Sequence, residues 1–398
     1  MTLPHASTAS LWRGRSIALA AILLTAFNLR TAVTSLSPLL DQLGAHFGFG
    51  ATLAGVLGMV PTAAFALFGV LTPALTRRIG IERTALLAMG LATTGLLLRS
   101  AAADVGLLLA GSAVALAGMG IGNVVVPPLV KRYFADRVGT VSTLYITVLQ
   151  AGTMLPALLA VPLATAAGWR VSMGVWSLLA LAAMMPLWSL RRGRSDPGQA
   201  AATPVTGRVW KTPLGWSLAL MFGMTSLVSY SMFTWLPKLM VDAGASAAFG
   251  GNMVALFSAF GLVSSLAMPT LAVRMRNPFP VVAACITCLL IAFAGLYLAP
   301  LSAPLLWVSL LGIGPATFPL SLTLINLRTR TPSGSAALSG FMQGVGYTFS
   351  CLGPLLFGVL HSQTGGWGAP FGLLCVCVVV LVIASWKACQ PQYLEQQW

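Results

Sequence analysis

The stretch Phe27-Asn28-Leu29-Arg30-Thr31-Ala32-Val33-Thr34-Ser35-Leu36 sets one guanidinium inside an apolar run, residues 16–40. A spanning helix needs about 20 apolar residues at about 1.5 Å rise each, so this run is long enough to cross a bilayer. Arg30 falls near its middle. A charge there costs several kcal/mol, and it normally faces a polar cavity or a partner along a substrate or ion path. Asn28, Thr31, Thr34 and Ser35 add a polar stripe to the same predicted helix. The stripe reads as one wall of a translocation site. The competing reading is that Arg30 only bridges helices in a packed bundle.

Other polar side chains at hydrocarbon depth supply further walls. Asn123 follows Gly120-Ile121-Gly122 and precedes Pro127-Pro128, which remove backbone donors and predict a bend or an end to that helix. Its amide can read a substrate or glue two helices together. A fifth run carries Tyr145 and Gln150, and a seventh carries Thr225, Ser226 and Tyr230. Gln343 and Tyr347, four residues apart in an eleventh run, share a helix face and suit a wall opposite Arg30. Interhelical glue beside a glycine-rich seam is the alternative for that pair.

The acids are Asp41, Glu82, Asp104, Asp136, Asp196, Asp242 and Glu395, all at predicted run ends, in loops or in the tail. His5, His46 and His361 are equally peripheral. Arg30 therefore has no obvious carboxylate partner. A fixed fork of donors that stays protonated favours an anionic or strongly hydrogen-bond-accepting solute. A small planar anion, a nitro group or a carboxylate would suit it. Proton coupling through a buried acid lacks a central candidate; Asp41 or His361 near the outer face could serve, and facilitated diffusion or anion exchange stays open. No metal-ligand cluster or nucleophile–base pair lies within the runs, which argues against an enzyme. Neither cofactor nor metal is implied. The cysteines, among them Cys285 and Cys288, read as buried small hydrophobes.

The elements that must position these residues follow from composition. Of 398 residues, 57% are hydrophobic and 7% charged, against about 25% charged in a soluble domain. This is an all-α membrane protein. Met1–Ser10 has no signal-peptide charge pattern. Twelve apolar runs are read, roughly 16–40, 51–75, 84–101, 105–130, 140–163, 168–190, 213–237, 248–273, 279–299, 303–327, 335–360 and 369–387. With a cytoplasmic N-terminus, eighteen Lys and Arg lie inside. Only Arg99, Arg170 and Lys238 lie outside, which places both termini in the cytoplasm. The net charge of +15 is thus topology, with some attraction to anionic headgroups, and not a nucleic-acid footprint. The basic turn with Arg77, Arg78, Glu82 and Arg83 reads as a topology signal that can also latch a cytoplasmic gate.

Residues 191–212 read as a linker between an N-terminal six-helix bundle, 1–190, and a C-terminal bundle with a short tail, 213–398. A repeat supports two halves: Gly120-Ile121-Gly122 with Pro127 recurs as Gly312-Ile313-Gly314 with Pro319, while Gly152 and Pro162 map to Gly344 and Pro354. A site between two such halves sits near the midplane. A channel is disfavoured, since it is usually an oligomer around one pore.

The runs Asn28-Leu29-Arg30 with Pro38-Leu39-Leu40, Gly122-Asn123 to Lys131-Arg132, and Leu338-Ser339-Gly340 through Gln343 and Gly346-Tyr347 to Gly353-Pro354 resemble the cyanate permease / 2-nitroimidazole transporter family of the major facilitator superfamily. The basic turn after the second run is similar to that superfamily's loop signature. The resemblance implies a twelve-helix fold and secondary transport of a small solute. The expected setting is a monomer in the inner membrane, with protons or a counter-anion as coupling partners. The rival on the same fold is an efflux carrier for neutral aromatic compounds, which Tyr145, Tyr230, Phe341 and Tyr347 would hold by stacking.

Overall fold

Twelve helices long and apolar enough to cross a membrane make up the computed structural model. It describes residues 15–134, 136–191 and 208–397. Most of the predicted linker, 192–207, lies outside the described residues, as do Arg13, Arg192 and Arg194.

The spans are Ser16–Phe47, Ala51–Ile79, Ile81–Ser100, Val105–Tyr133, Thr140–Ala167, Trp169–Leu190, Pro213–Asp242, Ala247–Arg274, Phe279–Leu298, Pro304–Leu327, Ala337–Thr364 and Gly368–Cys389. Short polar residues start several of them. Asp104, Thr212, Ser246 and Thr331 each accept, through the side chain, the backbone N–H three residues on, satisfying a donor that a helix start leaves free. A single residue joins the second span to the third and the fifth to the sixth. Gly80 and Gly168 both take φ 86° there, a left-handed value that L side chains resist.

The first six spans pack mainly among themselves and the last six likewise. The two sets meet chiefly where the second span lies on the eleventh and the fifth on the eighth. Glycines let these backbones close. A β-carbon on Gly55 would stand 2.7 Å from the Pro354 carbonyl oxygen, and one on Gly358 2.6 Å from that of Ala51. One on Gly251 would stand 2.6 Å from the Ala157 carbonyl oxygen. All of these contacts lie in the half of the molecule away from the basic loops. Toward the basic loops, β-carbons on Gly69, Gly340 and Gly344 would meet nothing within 4 Å.

Three expectations about the helices need correction. The first span is not one helix: it runs Ser16–Asn28, a turn Thr31–Thr34, a 3-10 turn Ser37–Leu39 and Leu40–Phe47. The polar stripe therefore belongs to an interrupted segment. Pro127 and Pro128 do not end the fourth span, which stays helical to Tyr133, because two carbonyls lose donors but neighbouring helices hold the rest. The seventh span passes Pro237 and ends at Asp242.

Candidate functional site

The interruption in the first span creates the site. Helix Ser16–Asn28 stops and Arg30 takes φ −130°, ψ −6°, outside helical geometry. The Arg30 carbonyl then restarts the chain, accepting from the N–H of Val33 and of Thr34 and from the Thr34 hydroxyl at 3.3 Å. Pro38 follows; it has no N–H, so the carbonyl four residues back, Thr34, gets no helical bond from it.

Arg30 is half-buried between the halves. Its Nη1 donates to the Leu29 carbonyl at 3.1 Å and to Asn123 Oδ1 at 3.3 Å. Its guanidinium carbon lies 4.6 Å from the centre of the Phe65 ring, a cation–π contact with the second span. Among the described residues no carboxylate pairs with it. The positive charge instead sits at the carbonyl end of helix Ser16–Asn28, where the helix dipole is negative. The bonds to Leu29 and Asn123 both leave from Nη1, and the Tyr347 hydroxyl lies close enough to the guanidinium to bond to it as well.

The other half supplies rings. Phe65 meets Tyr347 at 5.7 Å and Tyr230 at 6.1 Å between centroids, and Tyr347 meets Phe222 at 5.0 Å. Both phenols lie within electrostatic range of the Arg30 guanidinium. Arg30, Asn123, Tyr230 and Tyr347 thus come together from the first, fourth, seventh and eleventh spans.

The remaining predicted residues have other partners. Asn28 is fully buried and donates to the Leu24 carbonyl at 2.8 Å, and its Oδ1 has no partner among the described residues. Gln150 donates to the Ser258 carbonyl at 2.9 Å, tying the fifth span to the eighth. Thr225 shares a 2.7 Å hydrogen bond with Thr317 of the tenth span. Gln343 donates to Ser339 at 2.9 Å on its own helix. Tyr145 is half-buried against the core.

The four loop residues do not cluster. Glu82 is buried, paired with Arg132 at 3.0 Å and accepting from the Tyr133 hydroxyl at 2.9 Å. Arg77, Arg78 and Arg83 are exposed. At the opposite face, Lys238 bridges Asp41 at 3.3 Å and Asp242 at 3.0 Å, and His361 lies 3.7 Å from Asp242. A cavity of about 150 Å³ opens beside Asp41, Trp235 and Lys238.

Two contributors escaped the sequence reading. Phe65 carries no polarity signal in an apolar run. Arg99 is not a loop charge: it is fully buried in the last turn of the third span, donating to the Ala32 carbonyl at 2.7 Å and to Ser35 Oγ at 2.9 Å.

Twelve spans in two packed sets, with a polar centre between them, define a carrier-type membrane protein. The sequence profile of the Major Facilitator Superfamily matches residues 22–353, and the chain belongs to that family. It is 32% identical to the 2-nitroimidazole transporter of Escherichia coli (strain K12), over 96% of this chain and 97% of that one. It is 29% identical to the cyanate transport protein of the same organism, over 95% and 98%. Its fold matches a bacterial homolog of the human lysosomal transporter Spinster with TM-score 0.74 at 16% identity, covering 96% of this chain and 98% of that one. The chain is a multi-pass membrane transporter of small solutes.

Proposed function

We propose that the chain moves a small planar anion, or a solute bearing a nitro or carboxylate group, by alternating access, with Arg30 as the central counter-charge. The observation that carries this is a half-buried guanidinium between the halves with no acidic partner among the described residues. The names of the relatives, a cyanate and a 2-nitroimidazole carrier, are consistent with such a solute. The two bundles are 1–190 and 213–398, joined by a cytoplasmic linker at 191–212. The basic loops face the cytoplasm of the inner membrane, in line with the positive-inside rule. The second and eleventh spans pack at one end and splay at the other, which suits a carrier closed toward the outside and open toward the cytoplasm. Protons or a counter-anion drive it, with Asp41 and His361 as the groups placed to sense protons.

Uptake of cyanate and of 2-nitroimidazole into vesicles holding the purified chain tests this. Arg30→Ala abolishes uptake while folded protein remains in the membrane. Normal uptake by that variant removes the counter-charge. An imposed pH gradient that leaves uptake unchanged removes obligate proton coupling. The cluster of Phe65, Phe222, Tyr230 and Tyr347 favours a second reading, efflux of neutral aromatic compounds, in which Arg30→Ala loses only part of the activity.

A further inference from the structure

We infer that Arg99 is a positioning residue for the central site: it holds the interrupted first span so that Arg30 points between the halves. The inference rests on the reading of Arg30 as the counter-charge.

Arg99 is fully buried, and among the described residues it has no carboxylate partner. Its guanidinium spans the broken segment two and five residues beyond Arg30, through Nη1 to the Ala32 carbonyl and Nη2 to Ser35 Oγ. A helix that stops and restarts leaves carbonyls without donors, and a buried one must be satisfied. Arg99 supplies that donor from outside the segment. The turn it grips, Thr31–Thr34, hangs on the Arg30 carbonyl through Val33, Thr34 and the Thr34 hydroxyl. The chain of contacts therefore runs from Arg99 through the turn to the Arg30 backbone.

The anchor itself is rigid. Gly111 of the fourth span lies so close that a β-carbon on it would stand 2.6 Å from the Arg99 backbone nitrogen. The first span is thus tied to the packed third and fourth spans at the point where it is least regular. A planar fork is needed because the two acceptors are separate; a lysine ammonium is a point donor that reaches them less well.

The test uses the full chain in vesicles, with cyanate and 2-nitroimidazole as probes. Arg99→Lys keeps the charge and loses the fork. It raises KM about tenfold, the worth of one charge-assisted hydrogen bond, with maximal rate within about twofold. Ser35→Ala raises KM less, and adds nothing in the Arg99→Lys background because both act through one contact. A wild-type KM in Arg99→Lys alongside a raised KM in Arg99→Gln overturns positioning and leaves only the charge. A fall in maximal rate and thermal stability at unchanged KM overturns it in favour of a purely structural role. Hydrogen exchange needs no substrate: the amides of residues 31–36 exchange faster in Arg99→Lys while the third and fourth spans keep their protection. Unchanged exchange there overturns the inference. Normal uptake by Arg30→Ala would instead sink the counter-charge reading, whatever Arg99 does to exchange.

Discussion

At the scale of single residues, Arg30 shows how a membrane-depth charge is tolerated without an acid. The carbonyl end of a helix, the Leu29 carbonyl, the Asn123 amide oxygen and the Phe65 ring each take part of its charge. A desolvated cation–π contact contributes about 2 kcal/mol and a helix terminus up to about 2 kcal/mol. These partners offset burial without supplying a carboxylate, and the proposed counter-charge role rests on that. Asn123→Asp therefore discriminates between readings. A carboxylate 3.3 Å from the guanidinium neutralises it and keeps the fold. Anion affinity falls by about a hundredfold or more, because a like charge facing the ligand costs several kcal/mol. Binding of a neutral aromatic compound survives. Competition binding with both ligand types measures this. Arg30, Asn123, Tyr230 and Tyr347 were legible because a polar atom inside an apolar run has few uses. Phe65 was not, since one more aromatic in hydrocarbon is unremarkable until its ring is seen under a cation. Arg99 was misread because it ends an apolar run, where a charge usually reaches water.

At the scale of elements, helix count was readable and most ends fell within a few residues, the first and seventh spans running on to Phe47 and Asp242, while continuity was not. Neither glycine nor proline stands at the Leu29–Arg30 break, so nothing local announces it; tertiary donors such as Arg99 make it tolerable. Close crossings are equally non-local. A β-carbon on Gly152 would collide with the Phe27 carbonyl oxygen of the first span, just before the break. Gly152→Val forces the two backbones apart and lowers stability by about 1–3 kcal/mol, as overpacking does, read as a lower unfolding midpoint in detergent. The C-terminal tail is a further element. Glu395 accepts from the N–H of Arg330 and of Thr331 and from the Thr331 hydroxyl, each at 2.9 Å, at the start of the eleventh helix. Burial alone would raise its pKa, but these backbone and hydroxyl donors outweigh it and hold the carboxyl below its ordinary 4.5. A depressed carboxylate stabilises fully above the unfolded value and is lost as pH falls through the folded one. Unfolding midpoints of the wild type thus drop below about pH 4.5 more steeply than those of Glu395→Gln, which lacks the titration; parallel curves would show that the tail contributes nothing.

At the scale of the molecule, the basic residues support a proposed orientation because charge bias sets topology, and the twelve spans were legible in the apolar runs. Which face is sealed was not, because it depends on glycines of one span meeting carbonyls of another. Two kinds of contact close the face opposite the basic loops. One is ionic: Lys238 to Asp41 is, among the ion pairs between described residues, the one that joins the halves. The other is close packing at Gly55, Gly58 and Gly358. Magnitudes rank them. The ionic side chains are 25% and 44% exposed, and such a pair contributes about 0–1 kcal/mol. Lys238→Met therefore shifts the balance of open and closed outer faces by no more than about fivefold. At Gly58 a β-carbon would stand 2.6 Å from Thr234 Cγ2 and 2.9 Å from Pro354 Cβ. Gly58→Leu wedges that seam and opens this face far beyond what Lys238→Met achieves. Spin-label distances between the outer ends of the second and eleventh spans report both. A larger shift from Lys238→Met than from Gly58→Leu would make the ion pair the lock and the glycine seam its passive bed.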